Sequence, residues 1–454
     1  MGVTAKRSNR DEVHRGWVGR LLVGLLAGSF LVFVAGSFAF AYLFLFAASG
    51  QPLAGALSGL VGAVLGGSAG QGGGGATGVA DATSKRYLNI LLLGVDQRDD
   101  ERQAGVPARS DSMIVVRIDQ VAKRAAMISL PRDMWVQIPG FADNRINVAN
   151  FLGDAYKYPG GGPALAEKTV EANFGLKIDY FARINFRGFE KIVDTLGGID
   201  INVERPIVDN EYPTEDYGVM RVYIPAGRQH MNGAVALQYA RSRHSEDDFG
   251  RAHRQQMVLL AIKDRALQLD VIPKLPTLMS TFREMVETDI PPQEIIRLAA
   301  MAREIHDNAI STLVIDEKLA PPFVGEGGAD LLMPNKPEIR KAIGALLVDP
   351  VVKQEAARIE VSNGTTVSGL AGRTGDFLVA QGFDVTRVTS ADRSDYKSSS
   401  IEVLGDKMET ARLLAQALGL PSRAVVRISP PAGANSDKGV DIRVILGQDF
   451  NLLR

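Results

Sequence analysis

From Leu21 to Ala80 the chain carries no charged side chain, and no other feature limits its possible architectures as strongly. Within that stretch LLVGLLAGSFLVFVAGSFAFAYLFLFAA, Leu21 to Ala48, is almost wholly apolar. At about 1.5 Å per residue it reaches roughly 42 Å as a helix, more than the roughly 30 Å of a bilayer's hydrocarbon core, so it is long enough to cross with tilt. The competing reading is a signal peptide, whose apolar core runs to only about 7 to 15 residues; residues 21–48 therefore read as a single uncleaved transmembrane helix. Lys6, Arg7, Arg10, Arg15 and Arg20 precede it, and the positive-inside bias makes residues 1–20 a cytoplasmic basic tail with the bulk of the chain extracytoplasmic, anchored in the cell membrane by one pass. A second uncharged piece, Leu53 to Gly67, is short and glycine-heavy and runs into QGGGGATG. Residues 49–85 thus read as a Gly/Ala-rich stalk with an r.m.s. span of about 30 to 35 Å, which keeps the next domain near the bilayer.

A length of 454 residues leaves room for two or three units beyond the anchor. With 51 Lys plus Arg against 52 Asp plus Glu, nothing suggests a nucleic-acid partner, and a 20-residue cytoplasmic tail is too short for a DNA-binding domain. Cysteine is absent, which excludes disulfides, thiolate zinc sites and a cysteine nucleophile. No Gly-x4-Gly-Lys-Ser/Thr or His-Glu-x-x-His motif occurs, and the Gly-x-Ser-x-Gly match at Gly66 to Gly70 falls inside the glycine-rich uncharged stretch and not at a strand-to-helix turn of an α/β pattern.

Past the stalk, YLNILLLGVD reads as a fully buried strand, the charged QRDDERQAGVPARSD as a loop, and SMIVVRID and AAMISLP as two further strands. Helical patterns follow at PALAEKTVEANF and FRGFEKIVDTL, the second closed by Gly197 and Gly198 before IDINV. Another helix runs from Phe249 to Leu269, and helices and loops in no readable order continue to about Pro350. The alternation predicts an α/β layer fold over residues 86–350 with functional groups on loops at strand ends. From RIEVSNG to VDIRVILG, residues 356–449 form a second, small α/β domain.

The densest local chemistry lies in YARSRHSEDDFGRAHRQQ, which brings Arg241, Arg243, Arg251 and Arg254 close together. Guanidinium forks match phosphate oxygens, so such a cluster at a strand end and helix start, with Gly250 before Arg251, suits an anionic ligand. The alternative is that these arginines pair with Glu246, Asp247 and Asp248 on a solvated face. Asp96, Asp111 and Arg132 add charge at the ends of three apolar strands. Two acids flanking one loop suit Mg²⁺, which takes one or two carboxylates, several waters and substrate phosphate oxygens.

The ordered motifs GVDQR, RSDSM, SLPRD, RINVAN, VDTLGGIDINV and YARSRHSEDDFGRAHRQQ resemble those of the LytR-CpsA-Psr family from Tyr87 to about Leu267, and the C-terminal set is similar to that family's accessory domain. The resemblance implies an α/β/α sandwich with a mixed central sheet and a transferase that moves a glycopolymer, such as a teichoic acid, from a polyprenyl diphosphate carrier onto a peptidoglycan sugar hydroxyl as a phosphodiester. By motif, Asp96 and Asp111 would hold Mg²⁺ and act in catalysis with Arg132. Arg132, Arg241 and Arg243 would grip the diphosphate, Arg251 and Arg254 would support them, and Arg98, Arg109 and Asn147 would complete the set. Asp133 and Asp194 read as turn or strand supports. The family also implies an apolar pocket for the lipid tail. Ile192, Val193, Val258, Leu259 and Ile262 are candidates for its wall, although at helical spacing they read more readily as ordinary core. The loop between Asp96 and Asp111 looks longer than is common in the family. The rival functions are a non-catalytic envelope protein that binds lipid-linked or wall glycan as a scaffold, and a diphosphate hydrolase using the same site.

Overall fold

The computed structural model describes residues 86–97, 101, 104–214, 218–242, 248–268, 275–346, 348–428 and 439–450. The span 21–48, the stalk, Arg98 and Arg243 lie outside the described residues. Among the described residues no helix is long and apolar enough to cross a membrane.

Strands β1 (Tyr87–Val95), β2 (Ser110–Asp119) and β3 (Arg124–Ser129) form an antiparallel meander. A two-rung ribbon, β4 (Trp135–Val136) with β5 (Asn144–Arg145), leads into α1 (Val148–Ala155) and α2 (Gly161–Phe174). Strand β6 (Tyr180–Asn185) returns parallel to β1 and feeds α3 (Phe186–Leu196). The Asn185 side chain starts that helix by accepting a 2.9 Å bond from the Gly188 amide, and Gly197 ends it at φ +85°, a conformation that disfavours a side chain. Next come β7 (Ile199–Val203), the hairpin β8 (Ile207–Pro213) and β9 (Val219–Ile224), and β10 (Gly227–Met231), which pairs with β7. The order then runs α4 (Gly233–Arg241), α5 (Asp248–Ala266), α6 (Leu275–Met285), β11 (Val286–Thr288), α7 (Pro292–Ala302), β12 (Ile310–Val314), the ribbon β13 (Pro322–Val324) and β14 (Asp330–Leu332), and α8 (Lys336–Leu346).

The central sheet is mixed, in the order β11-β6-β1-β2-β3-β12. Its strands alternate between two layers. Leu91, Leu93, Met113, Val115 and Ile128 pack against Leu165, Val170 and Phe174 of α2 and Ile339 and Ile343 of α8. Leu92, Gly94, Ser112, Ile114, Ala182 and Ile184 lie in two register rows on the other face, toward α3 through α6. Helices on both faces give the expected three-layer α/β/α arrangement, and explain why β1 is apolar from Ile90 to Val95. Two strands were not legible: three-residue β11 extends one edge and five-residue β12 the other. The expectation that the arginine cluster starts at a strand end is corrected, because Arg241 is the last residue of a helix. That helix is capped by the Asn232 side chain, which accepts from Val235 N at 3.0 Å, and it is built of Ala, Leu and Gln, which favour helix.

The C-terminal sheet, β16-β15-β19-β17-β18, comprises β15 (Arg358–Asn363), β16 (Asp384–Ser390), β17 (Ser400–Val403), β18 (Val425–Arg427) and β19 (Ile442–Leu446). Helices α9 (Pro350–Glu355), α10 (Leu370–Ala380) and α11 (Met408–Ala417) join it, and Leu370, Leu378, Ala411 and Leu414 close its core over Ile359, Val361 and Val444. This domain packs on the far end of β2. There the buried Arg117 donates to Ala380 O at 3.0 Å and lies 4.4 Å over the Tyr87 ring, and burial pushes its pKa down to about 10.

Candidate active site

At the opposite end of β2 the ladder to β1 slips between Gly94 and Val95: Gly94 faces Ser112 and Val95 faces Ser110. Asp111 is the extra residue of this bulge, a device that re-aims a side chain at a sheet end. Its Oδ1 accepts from Asn147 Nδ2 at 3.1 Å and its Oδ2 from Arg132 Nη1 at 3.3 Å. Arg132 in turn donates Nε to Asp133 at 3.1 Å, and Asp133 lies 3.1 Å from the Arg145 guanidinium. Asp96, one residue past β1, accepts from Arg241 Nη2 at 3.1 Å. Two carboxylates thus sit at adjacent strand ends, each already facing a guanidinium.

Arg251, only 7% exposed, joins Asp111 and Arg241 in lining a cavity of about 370 Å³. The rest of the wall is mainly apolar. Along α5 the lining residues are Arg251, Gln255, Val258, Leu259 and Ile262, one helical stripe that begins charged and ends apolar about 16 Å further on. Ile192 also lines the cavity, whereas Val193 is closed into the core with Ile199 and Ile201. Four of the five apolar candidates therefore face the cavity rather than serving only as core, a distinction that helical spacing cannot make because both environments demand the same stripe.

The remaining candidate residues separate. Asn147 is 4% exposed, and its buried Oδ1 finds no hydrogen-bond partner among the described residues. Arg254 does not line the cavity; its Nε donates to Tyr239 O at 2.9 Å and its Nη2 to Ser242 O, bracing the end of α4. Arg109 is exposed on the loop before β2. Asp194 accepts from Gly233 N at 2.7 Å and so supports the start of α4. Arg98 and Arg243 cannot be placed, being outside the described residues. Two aromatic residues not singled out by spacing stand at the site: the Arg241 guanidinium carbon lies 4.3 Å from the Phe186 ring centre and 5.6 Å from that of Tyr212. Burial raises the Tyr212 pKa, with Arg241 pulling the other way.

For a divalent ion the donor set is two carboxylates, Asp96 and Asp111, with the orphaned amide oxygen of Asn147 beside the second. Among the described residues no group of three or more His, Cys, Asp or Glu is arranged to hold a metal. Hard oxygen donors in this small number fit magnesium, which leaves most of its shell to water and phosphate, and do not fit zinc.

This fold and site define an α/β/α protein with a cluster of paired charges at its strand ends beside a mainly apolar cavity. The family model described as LytR_cpsA_psr matches residues 74–344, more than half of the chain, and the protein belongs to that family. A second model, described as LytR cell envelope-related transcriptional attenuator, matches residues 356–450. Among curated relatives, the regulatory protein MsrR of Staphylococcus aureus is 36% identical over 213 residues, 46% of this chain and 58% of MsrR. The polyisoprenyl-teichoic acid–peptidoglycan teichoic acid transferase TagT of Bacillus subtilis is 32% identical over 214 residues, 47% of this chain and 63% of TagT. The chain therefore spans less than two thirds of the length of these relatives. A crystal structure of a Streptococcus agalactiae protein shares the fold at TM-score 0.50 and 24% identity, covering 60% of this chain and 90% of that one.

Proposed function

We propose that the protein is a membrane-anchored phosphotransferase that moves a glycopolymer from a polyprenyl diphosphate carrier to a sugar hydroxyl of peptidoglycan, leaving a phosphodiester. The observation that carries this reading is the polarity of the cavity: Asp111, Arg241 and Arg251 are among its lining residues, and the α5 stripe turns apolar away from Arg251. An amphiphile with an anionic head and a long hydrocarbon tail matches that gradient. The relationship to TagT, a teichoic acid transferase by name, supports the same class of acceptor chemistry.

In this reading Arg132, Arg241 and Arg251 hold the diphosphate, and their fixed charge stabilises the negative charge that moves onto the leaving polyprenyl phosphate. The acceptor oxygen bonds to the phosphorus that carries the sugar, the bridging P–O bond to the polyprenyl phosphate breaks, and the hydroxyl proton passes to Asp96 or Asp111. Asp133 keeps Arg132 turned toward Asp111. Magnesium, which Asp96 and Asp111 would hold with Asn147 Oδ1 beside them, supplies neutralisation of phosphate charge when bound.

The test is mass spectrometry of organic extracts from the purified full-length chain, compared with an Arg241→Ala/Arg243→Ala variant. Polyprenyl phosphate or diphosphate should accompany the wild type and be lost from the variant. Finding none in either would sink the reading and favour a glycan-binding scaffold.

A further inference from the structure

The Arg241 guanidinium is held from three separate elements. Asp96 at the end of β1 bonds its Nη2, Phe186 at the first residue of α3 covers it at 4.3 Å, and Tyr212 of the outlying β8–β9 hairpin covers it at 5.6 Å. Neither ring is there by accident of local helix or strand geometry. Phe186 follows directly on the N-cap Asn185, so the capping bond to Gly188 fixes where its ring begins. Tyr212 sits beyond a register shift between Asp209 and Tyr212, and this irregularity buries its side chain to 6% exposure while Asn210 and Glu211 before it remain exposed. An arginine at the end of a helix has many rotamers of similar energy, and two aromatic faces within about 6 Å are attractive enough to select among them.

We propose that Phe186 and Tyr212 are positioning residues that fix the Arg241 guanidinium against Asp96, presetting it for an incoming diphosphate; the inference rests on the reading of this site as a diphosphate site. A preset arginine meets the anion without first losing side-chain freedom, so the rings act on affinity through Arg241 and not by touching the phosphate. The hairpin thereby has a role in the site although none of its strands joins the central sheet.

The experiment is a double-mutant cycle on the full-length chain, with inorganic diphosphate and geranylgeranyl diphosphate titrated calorimetrically against wild type, Phe186→Leu, Tyr212→Leu, Tyr212→Phe, Arg241→Ala and the doubles. Inorganic diphosphate is needed because Phe186 also lines the cavity and could contact a tail. Phe186→Leu and Tyr212→Leu should each weaken inorganic diphosphate binding about tenfold; Tyr212→Phe, which keeps the ring and removes only the hydroxyl that Arg241 also hydrogen-bonds, should weaken it by clearly less than Tyr212→Leu, and neither ring should matter further once Arg241 is Ala. Equal losses in the Arg241→Ala background, or full affinity in folded Phe186→Leu and Tyr212→Leu, overturn the proposal; Tyr212→Phe guards against a variant that merely unfolds the hairpin. Diphosphate binding with the predicted coupling but no glycopolymer transfer would keep this inference and remove the transferase reading, whereas no diphosphate binding by the wild type would remove both.

Discussion

The two faces of the central sheet are made from the same strands and have opposite fates. On one, Leu91, Leu93, Met113 and Val115 are at most 2% exposed and interlock with α2 and α8. On the other, the alternate residues include Gly94, Ser112 and Ala182, and a cavity of about 370 Å³ lies between them and α3 through α6. Small residues where a close-packed core would place large ones leave space that protein interiors otherwise fill. The contrast teaches that stability is concentrated on one side of β1 and β2 and ligand capacity on the other, with the charged groups at the strand ends where the two meet.

That division can be broken by substitution. The largest effect is expected at the strand ends: Asp111→Asn or Arg241→Ala should lower transfer about 10²- to 10³-fold with little change in melting temperature, as loss of a preorganised charge does elsewhere. Retained transfer, or a melting temperature that falls in step with it, would merge the two roles. On the packed face Leu91→Ala should cost about 2 to 5 kcal/mol in denaturant unfolding, and the surviving folded fraction should still bind diphosphate lipid. On the open face Ala182→Leu fills space instead of making it. It should leave stability within about 1 kcal/mol of wild type and weaken a prenyl-tailed ligand about tenfold while sparing inorganic diphosphate. If it destabilises like an overpacked core, the cavity is not the binding volume.

Much of this was legible in sequence, but unevenly. The apolar run ILLLGV in β1 signals a strand covered on both faces, and it is so covered: Leu91, Leu93 and Val95 are buried, while Leu92 and Gly94 on the cavity side are half-buried. What periodicity cannot say is which face is closed, because Leu91 and Leu92 are chemically alike and only their partners across the sheet differ. The arginine cluster and the acids at strand ends were visible as separate features. Their pairing was not: Asp96 and Arg241 are 145 positions apart, and only tertiary structure brings them to 3.1 Å. Asp111 enters the site through a one-residue slip that no propensity encodes, and Tyr212 reaches it through another. Residue type alone also failed to separate Arg251, which faces the cavity, from Arg254, three residues on, which braces α4. Strands as short as β11 carry too few residues for alternation to be read at all.

The smallest effect sharpens the comparison from the stable side. Glu167 lies on α2, the helix that covers the packed face, and burial, reinforced by Asp289 and Glu171, raises its carboxyl from 4.5 to about 7. A carboxyl whose folded pKa exceeds its unfolded value holds its proton longer in the native state. Between about pH 4.5 and 7 the native chain therefore binds more protons than the unfolded one at this position, and its contribution to stability falls as pH rises through that window. Partial exposure and solvent screening keep the effect modest. Glu167→Gln should flatten the pH dependence of the denaturation midpoint over that range and add stability at pH 7. Because α2 lies across the sheet from the cavity, the pH profile of transfer should be the same in variant and wild type. A transfer profile that moved with Glu167→Gln would mean that the two faces are electrostatically coupled through the sheet, and that the division drawn from packing does not extend to charge.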